Sequence, residues 1–141
     1  MGSINGYSVL VTGGGSGIGE AAAAKLAADG ANVMICGRTE EKLIAAVERI
    51  KARAADGTTV AHVVADVTDE DSVQSAVATA TELTGRLDGL FACAGGSTGV
   101  GPLATSDVET IRSTMELNYI GTFLCIKHGG TQMARQESGG S

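Results

Sequence analysis

The sequence predicts an α/β fold, a parallel sheet with helices on its faces, and three observations carry that prediction. Apolar runs of strand length alternate with segments of helical periodicity. The connections between them are short, as in consecutive β–α units. One apolar run, Val9-Leu10-Val11, feeds a glycine-dense turn and then the alanine run from Ala21 to Ala24. That order describes a buried parallel strand, a tight loop and the start of a helix.

Strand one leads through Thr12 into Gly13-Gly14-Gly15-Ser16-Gly17-Ile18-Gly19. The first helix follows from about Gly17 to Asp29, and Gly30 supplies its stop. Asn32 to Cys36 reads as strand two. Thr39 is placed to cap the second helix, with Glu40 and Glu41 favourable to its dipole. Leu43, Ala46, Val47 and Ile50 form the apolar stripe of that helix. Thr58 to Ala65 is strand three, and Thr68 opens the third helix. There Val73, Ala76, Val77, Ala80 and Leu83 face inward, and Gly85 ends it. Leu87 to Cys93 is strand four, followed by a glycine-rich loop from Gly95 to Gly101. Ser106 and Glu109 form a capping box for one long fourth helix reaching roughly Gln136. Gly129-Gly130 inside it costs on the order of 2 kcal/mol against alanine, so its last turns are expected to fray.

Right-handed crossovers give the sheet order 3-2-1-4, half of a doubly wound fold. The sequence closes on Glu137-Ser138-Gly139-Gly140-Ser141, a turn signal that ordinarily precedes a strand. The expectation is a single domain over 1–141, cut after its fourth β–α unit.

Composition excludes several classes. An apolar share of 43% with 18% charged residues describes a folded chain, not a disordered one. Net charge is −6 without a basic stripe or aromatic platform, which argues against a nucleic-acid partner. No apolar run approaches membrane length, and the first residues lack a myristoylation signal, so no membrane role is expected. Cys36, Cys93 and Cys125 sit in apolar runs without a C-x-x-C pair and read as small hydrophobes in a reducing, cytoplasmic setting. His62 and His128 have no metal-ligand spacing, and no metal is expected.

The glycine loop carries the chemistry. Glycines at 13, 17 and 19 allow a sharp turn and clear space for a phosphate against the first N–H groups of the helix. A triphosphate loop is excluded, because Glu20-Ala21 stands where Lys-Ser/Thr is required. Gly17-Ile18-Gly19-Glu20-Ala21-Ala22 fits G-x-G-x-x-A, the weaker dinucleotide pattern. About twenty residues on, Gly37-Arg38 closes strand two where a carboxylate would select NAD. Arg38 can instead pair a 2′-phosphate through its planar fork, with a hydroxyl bond from Ser16, which favours NADP.

Thr12-Gly13-x-x-x-Gly17-Ile18-Gly19 resembles the cofactor loop of the short-chain dehydrogenase/reductase family, T-G-x-x-x-G-x-G. The resemblance implies a Rossmann-like domain binding NAD(P), with Gly13, Gly15, Ser16, Gly17, Ile18 and Gly19 as cofactor contacts. It places Asp66-Val67 along the adenine, the carboxylate accepting from the amino group. Ala92-Cys93-Ala94-Gly95 stands where the family reads N-N-A-G, so Cys93, Ala94 and Gly95 pass the cofactor ribose while the sheet-bridging asparagine is absent. Asn118 matches the asparagine counted with Ser, Tyr and Lys in the family's catalytic tetrad, where its backbone holds a relay water. Neither Tyr7 nor Tyr119 has a lysine four residues on, so the Ser and Tyr-x-x-x-Lys half is lacking.

The resemblance therefore implies the cofactor-binding portion of an NADP-dependent oxidoreductase, NAD being the less favoured cofactor. The complete enzyme would act on a small carbonyl or alcohol, with hydride moving to or from the nicotinamide. A non-catalytic nucleotide-binding fragment or pseudoenzyme is the alternative. A Rossmann-like methyltransferase is disfavoured by Arg38. Strand four is expected at a sheet edge with unpaired backbone groups, and helix four with apolar groups on more than one face. The chain is accordingly expected to form a homo-oligomer, to aggregate, or to stay bound to a C-terminal half.

Overall fold

The computed structural model describes residues 4–97, 99 and 101–141. Among them, four strands form one sheet: β1 (Ser8–Thr12), β2 (Asn32–Gly37), β3 (Val60–Val64) and β4 (Gly89–Ala92). All pairings are parallel and the order is β3-β2-β1-β4, as the crossover rule requires. Val9 lies opposite Val33, Val33 opposite Val60, and Thr12 opposite Ala92. The helices are α1 (Gly17–Ala28), α2 (Glu40–Lys51), α3 (Glu70–Glu82), α4 (Val108–Met115) and α5 (Gly121–Ala134).

Alternation along the strands divides the core between two faces. Val9, Val11, Val33 and Ile35 pack with Ala23, Ala27, Leu43 and Ile50 of α1 and α2. Leu10, Met34 and Cys36 point the other way, against Ala76, Val77 and Ala80 of α3 and Met133 of α5. Both faces being covered explains why β1 reads as a continuous apolar run. The helix layers are cross-tied by charge. Arg49 of α2 grips the Glu20 carboxylate of α1 with two bonds, 2.6 and 2.8 Å long. Glu70 of α3 accepts from Lys127 at 2.6 Å and lies 2.7 Å from His128 Nε2 of α5.

The helix starts depart from expectation by one residue. Asp69, not Thr68, caps α3, accepting from the N–H groups of Asp71 and Ser72. Thr68 instead donates both its N–H and its hydroxyl to Asp66. The Ser106–Glu109 box does not form. Asp107 caps α4, accepting from Thr110 N–H at 2.7 Å, while the Ser106 hydroxyl donates to Pro102 O. In both places an aspartate beside the hydroxyl residue takes the first-turn N–H, to which it accepts as an anion. Thr39 does occupy the cap position of α2, but its side chain makes no capping bond.

The long fourth helix is interrupted. A π turn, Glu116–Ile120, separates α4 from α5. α5 is continuous through Gly129-Gly130 to Ala134, and Gly129 is a contact. A Cβ there would lie 2.7 Å from Leu90 Cδ1, so the missing side chain lets α5 settle on β4. The outer edge of β4 is partly paired as well. Ser141 N–H donates to Asp88 O and Ser141 O accepts from Leu90 N–H, both at 2.9 Å, the pattern of a parallel ladder. The Gln136 amide takes both backbone groups of Leu87 at 2.9 Å. No helix among the described residues is long and apolar enough to cross a membrane.

Candidate functional site

The loops that follow the four strands meet at the carboxyl edge of the sheet, where the order of connection reverses between β1 and β4. One cleft there is lined by Gly13, Gly15 and Ser16 after β1, Arg38 after β2, Asp66 and Val67 after β3, and Ala94 and Gly95 after β4. A second depression adjoins it over Gly13, Ser16, Ile18, Gly19, Cys93, Ala94 and Gly95. Residues 80 apart in sequence are thus brought to one surface. Gly17 is the exception: with φ of +58° it makes the turn into α1 and borders the groove between α1 and α2.

Close approach explains the glycines at 13 and 19. Gly13 has φ of +67°, and a Cβ on it would stand 2.9 Å from Ala94 Cα. A Cβ on Gly19 would collide with the Gly13 carbonyl oxygen, so α1 can rest directly on the loop. Ser16 precedes α1 in extended conformation, φ −167° and ψ 168°, and its side chain makes no cap bond. The first N–H groups of α1 therefore face the cleft without their own capping oxygen. Glu20, in the same first turn, is turned onto Arg49, which holds its carboxyl below the ordinary value.

The strand ends are tied together by Thr12. It is 2% exposed, and its hydroxyl oxygen accepts from Cys93 N–H and Ala94 N–H, each at 3.0 Å. With the asparagine of the family pattern absent, this bond fixes the end of β4 against β1. Burial pushes the Cys36 thiol up to about 12 and raises that of Cys125 as well, so both stay protonated and inert. Among the described residues no cluster of His, Cys, Asp and Glu could hold a metal.

Asp66 accepts from Thr68 N–H at 3.0 Å and from the Thr68 hydroxyl at 2.8 Å. These bonds, chiefly that from the N–H, hold its carboxyl below the ordinary range, with the Arg38 charge adding to the effect. Asp66 thus stays an ionised acceptor on the cleft wall. Asn118 lies in the π turn and reaches back to the loop after β4. Its Oδ1 accepts from Gly96 N–H at 3.0 Å, and its Nδ2 donates to Gly96 O at 2.7 Å and Thr114 O at 2.8 Å. The Asn118 carbonyl accepts from the Thr122 hydroxyl at 2.7 Å.

Further cleft residues were not singled out by the sequence. Gly37, Thr39, Lys42, Leu43, Ala65 and Leu117 also line it. Lys42 carried a usable signal, since it lies three positions after Thr39, on the helix turn that leaves the strand-two loop.

The pattern of the short chain dehydrogenase family matches residues 7–140. A 2,5-dichloro-2,5-cyclohexadiene-1,4-diol dehydrogenase of Sphingobium indicum is 37% identical over 141 residues, which is 100% of this chain and 54% of that protein. A short-chain type dehydrogenase/reductase from Mycobacterium ulcerans superposes with a TM-score of 0.90 at 44% identity, over 94% of this chain and 48% of that one. NAD+-bound xylitol dehydrogenase superposes with a TM-score of 0.90 at 29% identity, over 98% of this chain and 52% of that one. The chain spans about half the length of the curated relatives it matches. Sheet order, glycine loop and these likenesses agree: the chain belongs to the short chain dehydrogenase family.

Proposed function

We propose that these residues form the nucleotide site of an NADP-dependent oxidoreductase. One observation carries the choice of cofactor. Arg38 stands on the cleft wall beside Asp66 and Ser16, exposed, and among the described residues it makes no ion pair with a carboxylate. A guanidinium that no carboxylate hydrogen-bonds, and whose charge reaches Asp66 only through space, suits a phosphate on the adenosine ribose. Gly13, Gly15, Ser16, Ile18 and Gly19 would face the pyrophosphate, with Gly17 making the turn. Asp66 and Val67 would flank the adenine, and Cys93, Ala94 and Gly95 the ribose.

The residues fit such a group on structural grounds. The uncapped first turn of α1 offers N–H groups to an anion, and the carboxylate in that turn is taken up by Arg49. When bound, the nicotinamide supplies or accepts hydride. The chain's own part would be to hold the cofactor's ribose against Ala94 and Gly95, a segment that Thr12 fixes at Ala94 and Asn118 at the adjoining Gly96. The whole protein would act on a small carbonyl or alcohol, with Asn118 serving the proton relay through its carbonyl. The 141 residues hold no Tyr-x-x-x-Lys, so on their own they bind nucleotide without a proton donor for turnover.

Self-association belongs to this reading. Val108, Ile111, Met115, Tyr119, Phe123 and Ile126 follow spacings of three and four along α4, the π turn and α5, and each is half exposed or more. A stripe of that kind suits a second copy. The three free cysteines suit a cytoplasmic setting.

Calorimetric titration tests the reading. NADP is expected to bind at least ~10-fold more tightly than NAD, from a charge-assisted pair of roughly 1.5–3 kcal/mol. Equal affinities would remove Arg38 from the account.

A further inference from the structure

We infer that Lys42 is a second specificity-determining cation, sharing the 2′-phosphate of the nucleotide with Arg38; this rests on the NADP reading above. Lys42 lies in the first turn of α2, on the wall of the same cleft as Ser16, Arg38 and Thr39. Its position is fixed from below. Leu43, beside it, is 1% exposed and anchors α2 in the core. From the side, a Cβ on Gly15 would lie 3.7 Å from Lys42 Cβ, so the glycine loop and the stem of Lys42 are neighbours.

Charge accounting sets Lys42 apart. The chain has four lysines. Lys25 pairs with Asp29, Lys51 with Glu48 and Lys127 with Glu70. Lys42 makes no ion pair among the described residues, and positions three and four away hold Arg38, Thr39, Ala45 and Ala46, none of them acidic. The nearby Glu40 faces the other way, with its carboxylate 3.8 Å from His62 Nε2 of β3. A cation in a first helical turn also opposes the helix dipole. A locally unfavourable charge, turned to a cleft that already holds an arginine, is accounted for by an anion bound between them.

The test titrates adenosine 2′,5′-bisphosphate and 5′-AMP into the wild-type chain, Lys42→Gln, Lys42→Arg and Arg38→Gln, with circular dichroism as the check on folding. Lys42→Gln is expected to weaken the bisphosphate about fivefold, the scale of an exposed charge pair, and to leave 5′-AMP unchanged. Lys42→Arg should retain most of the affinity. If Lys42→Gln binds the bisphosphate like wild type while Arg38→Gln loses discrimination, the role of Lys42 is overturned and the cofactor reading stands. An equal loss for both ligands also overturns it. If the wild-type chain does not discriminate between the two ligands, the NADP reading falls, and the role of Lys42 with it.

Discussion

The side-chain amide of Asn118 holds both backbone groups of Gly96, accepting from the N–H at 3.0 Å and donating to the carbonyl at 2.7 Å. Gly96 has φ of +152°, so the loop turns here in a conformation suited to glycine. The residues just before it, Ala94 and Gly95, line the cleft. Asn118→Ala is expected to free this loop and weaken NADP binding several-fold. Its stability cost should stay within about 1 kcal/mol, because the exposed groups of Gly96 regain water. Asn118→Asp should weaken binding more, since a carboxylate facing Gly96 O replaces a donor. Titration together with amide exchange at Gly95 and Gly96 checks both.

The two adjacent glycines of α5 should respond in opposite senses. Gly130 has open space around its Cα, so Gly130→Ala is expected to stabilise by about 0.5–1 kcal/mol through helix propensity. Gly129→Val should destabilise by roughly 1–3 kcal/mol, because it overpacks against Leu90. Urea denaturation of the two variants decides the matter, and stabilisation by both would refute the contact.

Acid should weaken the fold at the α1–α2 contact. Arg49 holds the Glu20 carboxyl below its ordinary 4.5, mainly through their hydrogen bond. A carboxyl lowered in the folded state stabilises fully above the unfolded value, and the contribution is lost as pH falls through the folded one. Glu20→Gln should therefore melt below wild type at pH 7, and the two should converge as pH drops beneath the ordinary carboxylate range. Glu70, lowered by Lys127 and His128, acts in the same direction. Thermal melts across that range are the check, and a gap that persists in acid would contradict the assignment.

Local signals made most of the fold legible. Val9-Leu10-Val11 and the glycines after it specify strand, turn and helix within a dozen residues, and the sheet order followed from handedness. What stayed hidden depends on distance or on close competition. Gly129 reads as a weak point of a helix until Leu90, far along the chain, is seen beneath it. Ser106 and Asp107 are both capping residues, and only geometry chose the second. The grip of Asn118 on Gly96 spans 22 residues. Lys42 escaped notice because the periodicity of α2 draws attention to Leu43, Ala46, Val47 and Ile50, not to the rim.

The exposed stripe on α4 and α5 predicts association. Met115→Lys combined with Phe123→Lys places charges at its centre, where the native side chains are 52% and 55% exposed. Light scattering should show the wild-type chain as an oligomer or aggregate and the double variant shifted toward 14.1 kDa, with NADP affinity unchanged. A wild-type chain that is monomeric at high concentration would contradict this.

The most direct test of the cofactor site exchanges the charge at one position. Calorimetric titration of Arg38→Asp with NADP and NAD places a carboxylate where the ribose hydroxyls of NAD would be met and a 2′-phosphate repelled. The site described here predicts that wild type prefers NADP by ~10-fold or more and that Arg38→Asp prefers NAD. An unchanged order of affinity in the variant would contradict it.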